Sequence, residues 1–369
     1  MATAQCLLVG SIEASSGKST TILGIIHQLV QQGIQVTYGK PVGTSSDDSL
    51  VKMGEQNNFL ANNLSLSSEQ LRSPIISLDR EAIEQRLTEK DDRDYTEALR
   101  DYVSQMNDFA VIEGPTNLWE GSLFDISIAQ MAEIIDTSIL LVTRYSWSSV
   151  ANLLNAKQSL GDRLLGVVIN DIPETEMAQV AKYVKPYLEK RNIPVLGTIP
   201  QDRLLNSVSV RELCKKLNAK ILCRPDRLDL MVESLTIGAM NVNSALEYFR
   251  QKNNMVVITG GDRTDLQMAA LETATNCLIL TGHAAPLPLI LSRAEDLEIP
   301  ILAVDSDTLT IVEIVDAAFG KVPISEPIKV KKVIELMKQH FDFERLKNLL
   351  GLETGLTNGQ SRLRPFRAE

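Results

Sequence analysis

The segment Ser16-Gly17-Lys18-Ser19-Thr20 brings together the residue types that bind phosphate. Gly17 allows the backbone to approach an anion closely, Lys18 supplies a cation for β- and γ-phosphates, and the Ser19 hydroxyl can ligate Mg²⁺. The segment follows a short apolar run and opens an amphipathic stretch, so its amides lie at a helix start, where the dipole favours negative charge. This pattern predicts a phosphate-binding loop for a nucleoside triphosphate with Mg²⁺.

The loop departs from the standard phosphate-loop spacing at one position. A first glycine belongs at position 12, where Ile12 stands. The alternative interpretation is a serine-rich turn that caps a helix. The order of strand, loop and helix favours the phosphate-binding interpretation, because the motif needs that context.

Two charged residues stand at the ends of predicted strands. Lys40 follows the predicted strand 35–38. A lysine there points into the crevice where open α/β sheets bind ligands, although an ordinary surface lysine before Pro41 explains the pattern equally well. Glu113 ends the run at 109–112, and a charge at the tip of a buried strand is costly without a partner. We therefore expect the Glu113 carboxylate to meet a metal ion or its water.

Three further polar residues have two interpretations each. Asp47 and Asp48 lie in a polar loop, and Asn170 ends another apolar run. Because Mg²⁺ prefers oxygen ligands and keeps several waters, the aspartates can hold it directly or through water; paired acids in loops are also often simply solvated. The Asn170 amide can hydrogen-bond adenine, or it can begin a turn.

In the second half, Gly260, Gly261, Asp262, Arg263 and Thr264 join an apolar run to a helical stretch. Two glycines followed by aspartate predict a tight turn with a helix N-cap. Arg263 is unusual, because a cation at a helix start opposes the helix dipole. An anionic ligand or a contact with another domain is as good an explanation as turn chemistry.

The elements that position these residues follow an α/β pattern. A helix is predicted over 20–32, with apolar residues on one face and Gly33 ending it. Less regular helices are predicted over 68–85, interrupted by Pro74, and over 95–106. Continuous apolar runs separated by helices indicate a mainly parallel sheet. The predicted strands of the first half are 6–9, 35–38, 109–112, 139–142, 165–169 and 195–199.

The pattern restarts near Ala219 and predicts a second, smaller α/β unit. Its predicted strands are 220–223, 255–258, 277–280 and 300–304, and its predicted helices are 242–252, 264–273, 287–297 and 308–319. A linker over 322–327 and an amphipathic helix over 328–340 follow, and the polar end at 358–369 is expected to be loose.

Composition excludes several classes of function. The chain has 369 residues and a net charge of 37 − 47 = −10, which argues against non-specific nucleic-acid binding. Neither a signal peptide nor a run of about 18 apolar residues is visible, so we expect a cytoplasmic protein without a membrane span. The four cysteines fit no zinc spacing and are predicted to be buried free thiols, and the three histidines receive no chemistry.

With these residues placed, residues 1–215 resemble the dethiobiotin-synthetase-like P-loop family. The features that carry the resemblance are Gly17-Lys18-Ser19, Lys40-Pro41-Val42, Glu113-Gly114, Asn170 and the run 197–204. Residues 218–325 resemble a DRTGG domain, centred on 260–264, and residues 328–369 form a C-terminal helix and tail. This order is similar to the amino-terminal, non-catalytic half of long bacterial phosphate acetyltransferases.

The resemblance implies roles at the phosphate loop. Lys18 and the amides of residues 16–20 would hold the phosphates of ATP. Ser19, Asp48 and Glu113 would surround Mg²⁺, with Asp48 favoured over Asp47 because Ser49 and Leu50 follow it.

The resemblance also implies roles beyond the loop. Asn170 and Pro200 would frame the adenine. Lys18 and Lys40 would be the catalytic residues, and Lys40 would handle an acceptor substrate.

Two departures from these families limit the expected activity. Where dethiobiotin synthetase has a small glycine-rich substrate loop, this chain has the bulkier segment 115–119, so dethiobiotin formation is not expected. No acetyltransferase catalytic domain follows residue 330, so acetyl transfer is not expected either. The favoured function is a nucleotide-binding regulatory or adaptor protein that forms a homo-oligomer through the second domain or binds a protein partner. The alternatives are an ATP-dependent ligase and a scaffold with a degenerate nucleotide site, and hydrolysis of ATP stays open.

Overall fold

A computed structural model of the chain describes residues 5–44, 64, 66–106, 109–282, 284–320 and 326–352. These residues divide into two units. The first comprises the described residues of Met1–Gln201 and Ser325–Glu369, and the second those of Asp202–Ile324. Among the described residues, no helix combines the length and apolar character needed to cross a bilayer.

Seven strands in the described part of the first unit form a fully parallel sheet. Their order is β4-β2-β6-β1-β7-β8-β9. Their bounds are Cys6–Ser11 (β1), Val36–Gly39 (β2), Leu71–Arg72 (β4), Phe109–Glu113 (β6), Ser138–Arg144 (β7), Leu164–Ile172 (β8) and Val195–Pro200 (β9). A separate parallel ribbon pairs Val42–Thr44 (β3) with Ile76–Leu78 (β5).

Helices follow these strands, as the sequence pattern predicts. Their bounds in the first unit are Lys18–Gln31 (α1), Arg80–Leu87 (α2), Tyr95–Ser104 (α3), Ile128–Ile134 (α4), Ser149–Leu160 (α5), Met177–Gln179 (α6) and Lys185–Glu189 (α7), with a π-helical turn Val180–Val184 between the last two. Short 3-10 turns cover Ser68–Gln70, Ser122–Phe124, Gly161–Arg163 and Glu174–Glu176.

The strands are continuous apolar runs because both faces of the sheet are covered. Leu7, Leu8 and Val9 of β1 are all 0% exposed. Burying each such side chain contributes about 1.5–3 kcal/mol. The central strand is therefore a rigid base for the loop that follows it.

The helix predicted over 68–85 is wrong. The segment forms a 3-10 turn, the strands β4 and β5, and a helix only from Arg80. Pro74 has a fixed φ and no amide hydrogen, so it cannot lie in a helix interior. The Asp79 carboxylate then accepts a hydrogen bond from Ala82 N at 2.8 Å and begins α2.

The second unit has a smaller sheet of the same kind. Its order is β11-β16-β15-β14-β13, with β11 antiparallel to β16 and the other pairs parallel. The bounds are Lys220–Cys223 (β11), Ser234–Gly238 (β13), Met255–Gly260 (β14), Thr275–Thr281 (β15) and Ile301–Val304 (β16); Val208–Ser209 (β10) pairs with Met231–Val232 (β12). The α/β class predicted for both parts of the chain is confirmed.

Helices cover both faces of this second sheet. They are Arg203–Asn206 (α8), Val210–Leu217 (α9), Val242–Phe249 (α10), Thr264–Leu271 (α11), Pro288–Asp296 (α12) and Thr308–Ala318 (α13), with a 3-10 turn at Pro225–Arg227. One apolar core includes residues of α10, α11 and α12, and another includes residues of α9 and α13.

Two C-terminal helices, Pro327–His340 (α14) and Phe343–Leu350 (α15), belong to the first unit. Gly24 of α1 lies against Met337, since a Cβ on it would be 2.4 Å from Met337 Cγ. Arg345 makes a bidentate ion pair with Glu189, at 2.7 and 2.8 Å. The described residues 326–352 thus belong to the first unit, together with its described residues up to Gln201.

Candidate functional site

The loop between β1 and α1 has the backbone shape of an anion-binding turn. Ser15 and Gly17 have φ angles of 56° and 92°, in the left-handed region. Gly17 also has no room for a side chain, since a Cβ would lie 2.0 Å from Asn170 Nδ2. The Asn170 amide donates to Ser16 O at 2.9 Å. Gly17 is therefore required by its backbone angle and by its close neighbour, and Asn170 fixes the loop.

A buried polar cluster lies directly behind this loop. The Lys18 and Glu113 residues are 8% and 2% exposed. Lys18 Nζ donates to the carbonyl oxygens of Pro115, at 2.6 Å, and of Gly114, and it lies 3.9 Å from Glu113 Oε1. Because each charge has hydrogen-bonding partners, the cost of burying the pair is offset.

The two carboxylate oxygens of Glu113 have different neighbours. Oε1 accepts from Ser19 Oγ at 3.0 Å, and Oε2 accepts from Tyr38 OH at 2.8 Å. A hydroxyl and a carboxylate at a helix start are the hard oxygen ligands that suit Mg²⁺, which usually takes one or two carboxylates together with phosphates and water. Ser16 Oγ is buried without a hydrogen-bond partner among the described residues, and it is a further donor for an anion. The residues present therefore fit a metal–triphosphate ligand.

Glu13 anchors the first part of the loop. Its Oε1 accepts from Arg144 N at 2.5 Å and from Thr143 Oγ1 at 3.1 Å. These contacts attach the loop to β7, next to the position where Ile12 replaces the usual first glycine.

The remaining predicted site residues occupy the same edge of the sheet or lie outside the described part. Thr20 is the third residue of α1, Lys40 directly follows β2, and Pro200 ends β9. Since all seven strands are parallel, their carboxyl ends share one edge with the loop. Asp47 and Asp48 lie outside the described residues. The contacts that join this site into one cluster thus involve Ser16, Gly17, Lys18, Ser19, Glu113 and Asn170.

The bulky segment after Glu113 forms a turn that is fixed by Ser11 of β1 and by its own polar groups. Thr116 O accepts from Ser11 Oγ at 2.8 Å, and the Glu120 carboxylate accepts from the Thr116 amide at 2.5 Å. Trp119 is 68% exposed. Sequence reasoning missed Glu13, Tyr38 and the carbonyl contacts of Lys18, because each depends on which strands are neighbours.

The turn at 260–264 has an internal explanation for its arginine. Arg263 donates to both carboxylate oxygens of Asp265, at 3.1 and 3.0 Å, and to Met240 O at 3.1 Å. The hydrogen bond to Asp265 raises the pKa of Arg263. An anionic partner for Arg263 therefore lies two residues along the chain, in the first turn of α11.

Other residues with reactive side chains form no second site in the described part of the chain. The four cysteines are free thiols, and burial raises the pKa of each, most strongly for the fully buried Cys277. Burial lowers the pKa of His27. Within the described ranges, no group of three histidine, cysteine or acidic residues could hold a metal ion.

The parallel sheet and the strand–loop–helix site define an α/β protein of the P-loop nucleotide-binding class. Sequence models of known families agree: residues 5–209 match a family described as an AAA domain, and residues 212–318 match the DRTGG domain. Because the first match covers more than half of the 369 residues, the chain belongs to that AAA-domain family. The predicted order of a P-loop domain followed by a DRTGG domain is confirmed.

Curated relatives are phosphate acetyltransferases. That of Synechocystis sp. is 27% identical over 371 residues, covering 93% of this chain and 51% of the relative. That of Nitratidesulfovibrio vulgaris is 24% identical, with the same coverage of 93% and 51%. The chain therefore spans about half the length of the curated relatives it matches.

Solved structures show weaker similarity. The cell division protein MinD of Aquifex aeolicus is 18% identical with a TM-score of 0.34, covering 54% of this chain and 83% of that one. The CBS and DRTGG domains of the Clostridium perfringens pyrophosphatase regulatory region, complexed with diadenosine tetraphosphate, are 18% identical with a TM-score of 0.29, covering 43% and 75%.

Proposed function

We propose that this chain is a nucleotide-binding regulatory or adaptor protein whose first unit binds ATP with Mg²⁺. The observation that carries this proposal is the position of Lys18, whose ammonium group is buried behind a left-handed glycine loop and beside the Ser19–Glu113 pair. The β- and γ-phosphate oxygens would replace the carbonyls of Gly114 and Pro115 as acceptors for Lys18. A charged acceptor makes a stronger hydrogen bond than a neutral carbonyl, so the exchange favours binding.

The other site residues would each contact a different part of the ligand. The amides at the start of α1 and the Ser16 hydroxyl face the phosphates, and the helix dipole favours their charge. Ser19 and Glu113, with Asp48, would hold Mg²⁺, which neutralises phosphate charge when bound. Asn170 and Pro200 would flank the base. Lys40, which follows β2, would contact an acceptor substrate bound beyond the γ-phosphate.

We propose a regulatory or adaptor role for the chain on the basis of the order of its two domains. The relatives are phosphate acetyltransferases of about twice this length, and the chain matches an AAA domain and a DRTGG domain. In this proposal, nucleotide occupancy sets the state of the first unit, and the second unit passes it to a partner or to another copy of the chain.

Calorimetric titration of the whole chain with ATP tests the nucleotide site. Mg²⁺-dependent binding is expected, and Lys18→Ala should weaken it at least about tenfold, because a charged hydrogen bond contributes about 1.5–3 kcal/mol. Lys182→Ala is the matched control, since this lysine is exposed on the π-helical turn. Equal affinities in the wild type and in Lys18→Ala would contradict the proposal.

Self-association through the second unit is the second part of the proposal. Leu289 on α12 is 63% exposed, next to Leu287 at 52%. Symmetric dimers are the commonest assemblies of soluble homo-oligomeric proteins. Light scattering should give a dimer for the wild type and for Leu87→Asp, whose residue is 65% exposed on the first unit, and a monomer for Leu289→Asp. A monomeric wild type, with or without ATP, would refute self-association.

A further inference from the structure

Tyr38 is a buried tyrosine whose hydroxyl group points at the candidate metal site. It is 1% exposed and lies in β2, whose neighbour in the sheet is β6. Tyr38 is opposite Val111, so Glu113 lies two residues further along β6 on the same face. A tyrosine that leans along the strand spans this offset, and its hydroxyl reaches Glu113 Oε2 at 2.8 Å.

Because of this contact, the two carboxylate oxygens of Glu113 have different hydrogen-bond partners. Oε2 accepts from the buried phenol, which needs a hydrogen-bond partner when it is removed from water. Oε1 is left facing Ser19 Oγ at 3.0 Å and Lys18 Nζ at 3.9 Å. A glutamate side chain has several rotatable bonds, and holding one of its oxygens fixes the direction of the other.

We infer that Tyr38 is a positioning residue that orients the Glu113 carboxylate for the metal bound with the nucleotide. This inference rests on the proposed nucleotide site and adds a residue to it that no motif predicts. Tyr38 acts through Glu113 and does not itself contact the phosphates. Residues that orient metal ligands typically change metal affinity by about 10- to 100-fold when they are replaced. Tyr38→Phe removes the hydroxyl group and keeps the ring in the core.

The measurement is the ratio of ATP affinities with Mg²⁺ and with a chelator, by calorimetry on the whole chain. Tyr38→Phe is expected to lower the affinity with Mg²⁺ about tenfold and to leave the affinity in chelator unchanged. Tyr95→Phe is the matched control, because Tyr95 is also buried and its hydroxyl donates to the Asp91 carboxylate at 3.1 Å. This contact lies away from the loop. The control variant should behave as the wild type in both conditions.

A double variant separates positioning from packing. In a Glu113→Gln background, Tyr38→Phe should add no further loss of Mg²⁺ dependence. An unchanged affinity ratio in Tyr38→Phe, or equal losses with Mg²⁺ and with chelator, would overturn the inference while the nucleotide site stands. A wild type that binds no ATP in either condition would refute the proposed function itself, and the role of Tyr38 with it.

Discussion

The loops after β1 and β14 occupy equivalent places in the two units. Each follows a buried parallel strand, contains glycine and leads into a helix, α1 or α11, that begins beside a cation. In the first unit the cation is Lys18, which is 8% exposed and bonded to the segment after β6. In the second it is Arg263, whose side chain is 36% exposed and bonded to Asp265 two residues away.

The difference between these loops lies in the origin of the partner groups. Lys18 and Ser19 meet groups contributed by a neighbouring strand, namely Glu113 and the carbonyls after it. These polar groups converge on the proposed phosphate site from several elements. Arg263 has its carboxylate partner two residues along the chain, in Asp265, and its other partner is the backbone carbonyl of Met240, so its contacts are structural. The same α/β geometry therefore frames the proposed nucleotide site in one unit and a turn whose arginine already has a carboxylate partner in the other.

The largest expected effect that tests this comparison comes from the two glycines. Gly17→Ala would force a side chain into a φ of 92° and against Asn170, which should cost about 2 kcal/mol and remove most nucleotide affinity. Gly261→Ala would place a Cβ 2.1 Å from Ala284 O, with a cost of about 1–3 kcal/mol in the second unit and no change in ATP affinity.

The two tryptophans make this experiment specific. Trp119 and Trp147 both lie in the first unit, so denaturation followed by fluorescence reports on that unit, whereas circular dichroism reports on both. Gly17→Ala should shift the fluorescence transition, and Gly261→Ala only the part seen by circular dichroism. If Gly261→Ala weakened ATP binding as much as Gly17→Ala, the contrast between the loops would be lost.

Much of this fold could be predicted because buried parallel strands are continuous apolar runs. The run predicted at 109–112 is the strand Phe109–Glu113. The predictions failed where an element is too short, or too mixed in polar and apolar residues, to show a hydrophobic period. Leu71–Arg72 has only two residues, and the strand Ser234–Gly238 was not predicted. The helix Phe343–Leu350 was also missed, since its place depends on its packing against the first unit.

The candidate site was predictable only in part, for a physical reason. Lys18, Ser19 and Glu113 follow from a local motif and from the cost of a charge at a strand end. The role of Tyr38 depends on β2 lying beside β6, and the contact of Asn170 with Gly17 depends on where the end of β8 meets the loop. Neither is encoded in spacing along the chain. The Arg263–Asp265 pair, in contrast, is local and could have been read from the sequence.

An intermediate effect is expected at the ion pair that joins α15 to α7 within the first unit. Arg345→Ala should lower the stability of the first unit by about 1 kcal/mol at neutral pH, as for a partly exposed bidentate pair. The fluorescence transition should move and the second unit should be unaffected. Arg163→Ala, which breaks the more exposed pair with Asp136, is the control with the smaller shift.

The same pair predicts a pH dependence with a definite sign. The hydrogen bonds from Arg345 hold the pKa of Glu189 below its ordinary value of 4.5. The folded chain therefore binds fewer protons there than the unfolded chain, and the stabilisation is complete above about pH 4.5 and is lost as pH falls through the folded pKa. Arg345→Ala should show a smaller loss of stability on acidification than the wild type. An equal loss in both would show that the pair does not contribute.

The smallest expected effect is at Arg263, and it decides whether the second loop is a turn or a site. Arg263→Ala removes the hydrogen bonds to Asp265, two residues away, and to the carbonyl oxygen of Met240, which precedes α10; all of these groups lie in the second unit. Because the pair is solvent-exposed and screened, its loss should change the melting temperature of the second unit only slightly. ATP affinity and the molar mass from light scattering should equal those of the wild type, since no ligand or second chain is needed to balance this cation. A variant that bound ATP normally but no longer self-associated would show that Arg263 contacts a second copy of the chain. The two loops would then differ in what they bind, ATP in the first unit and a protein chain in the second.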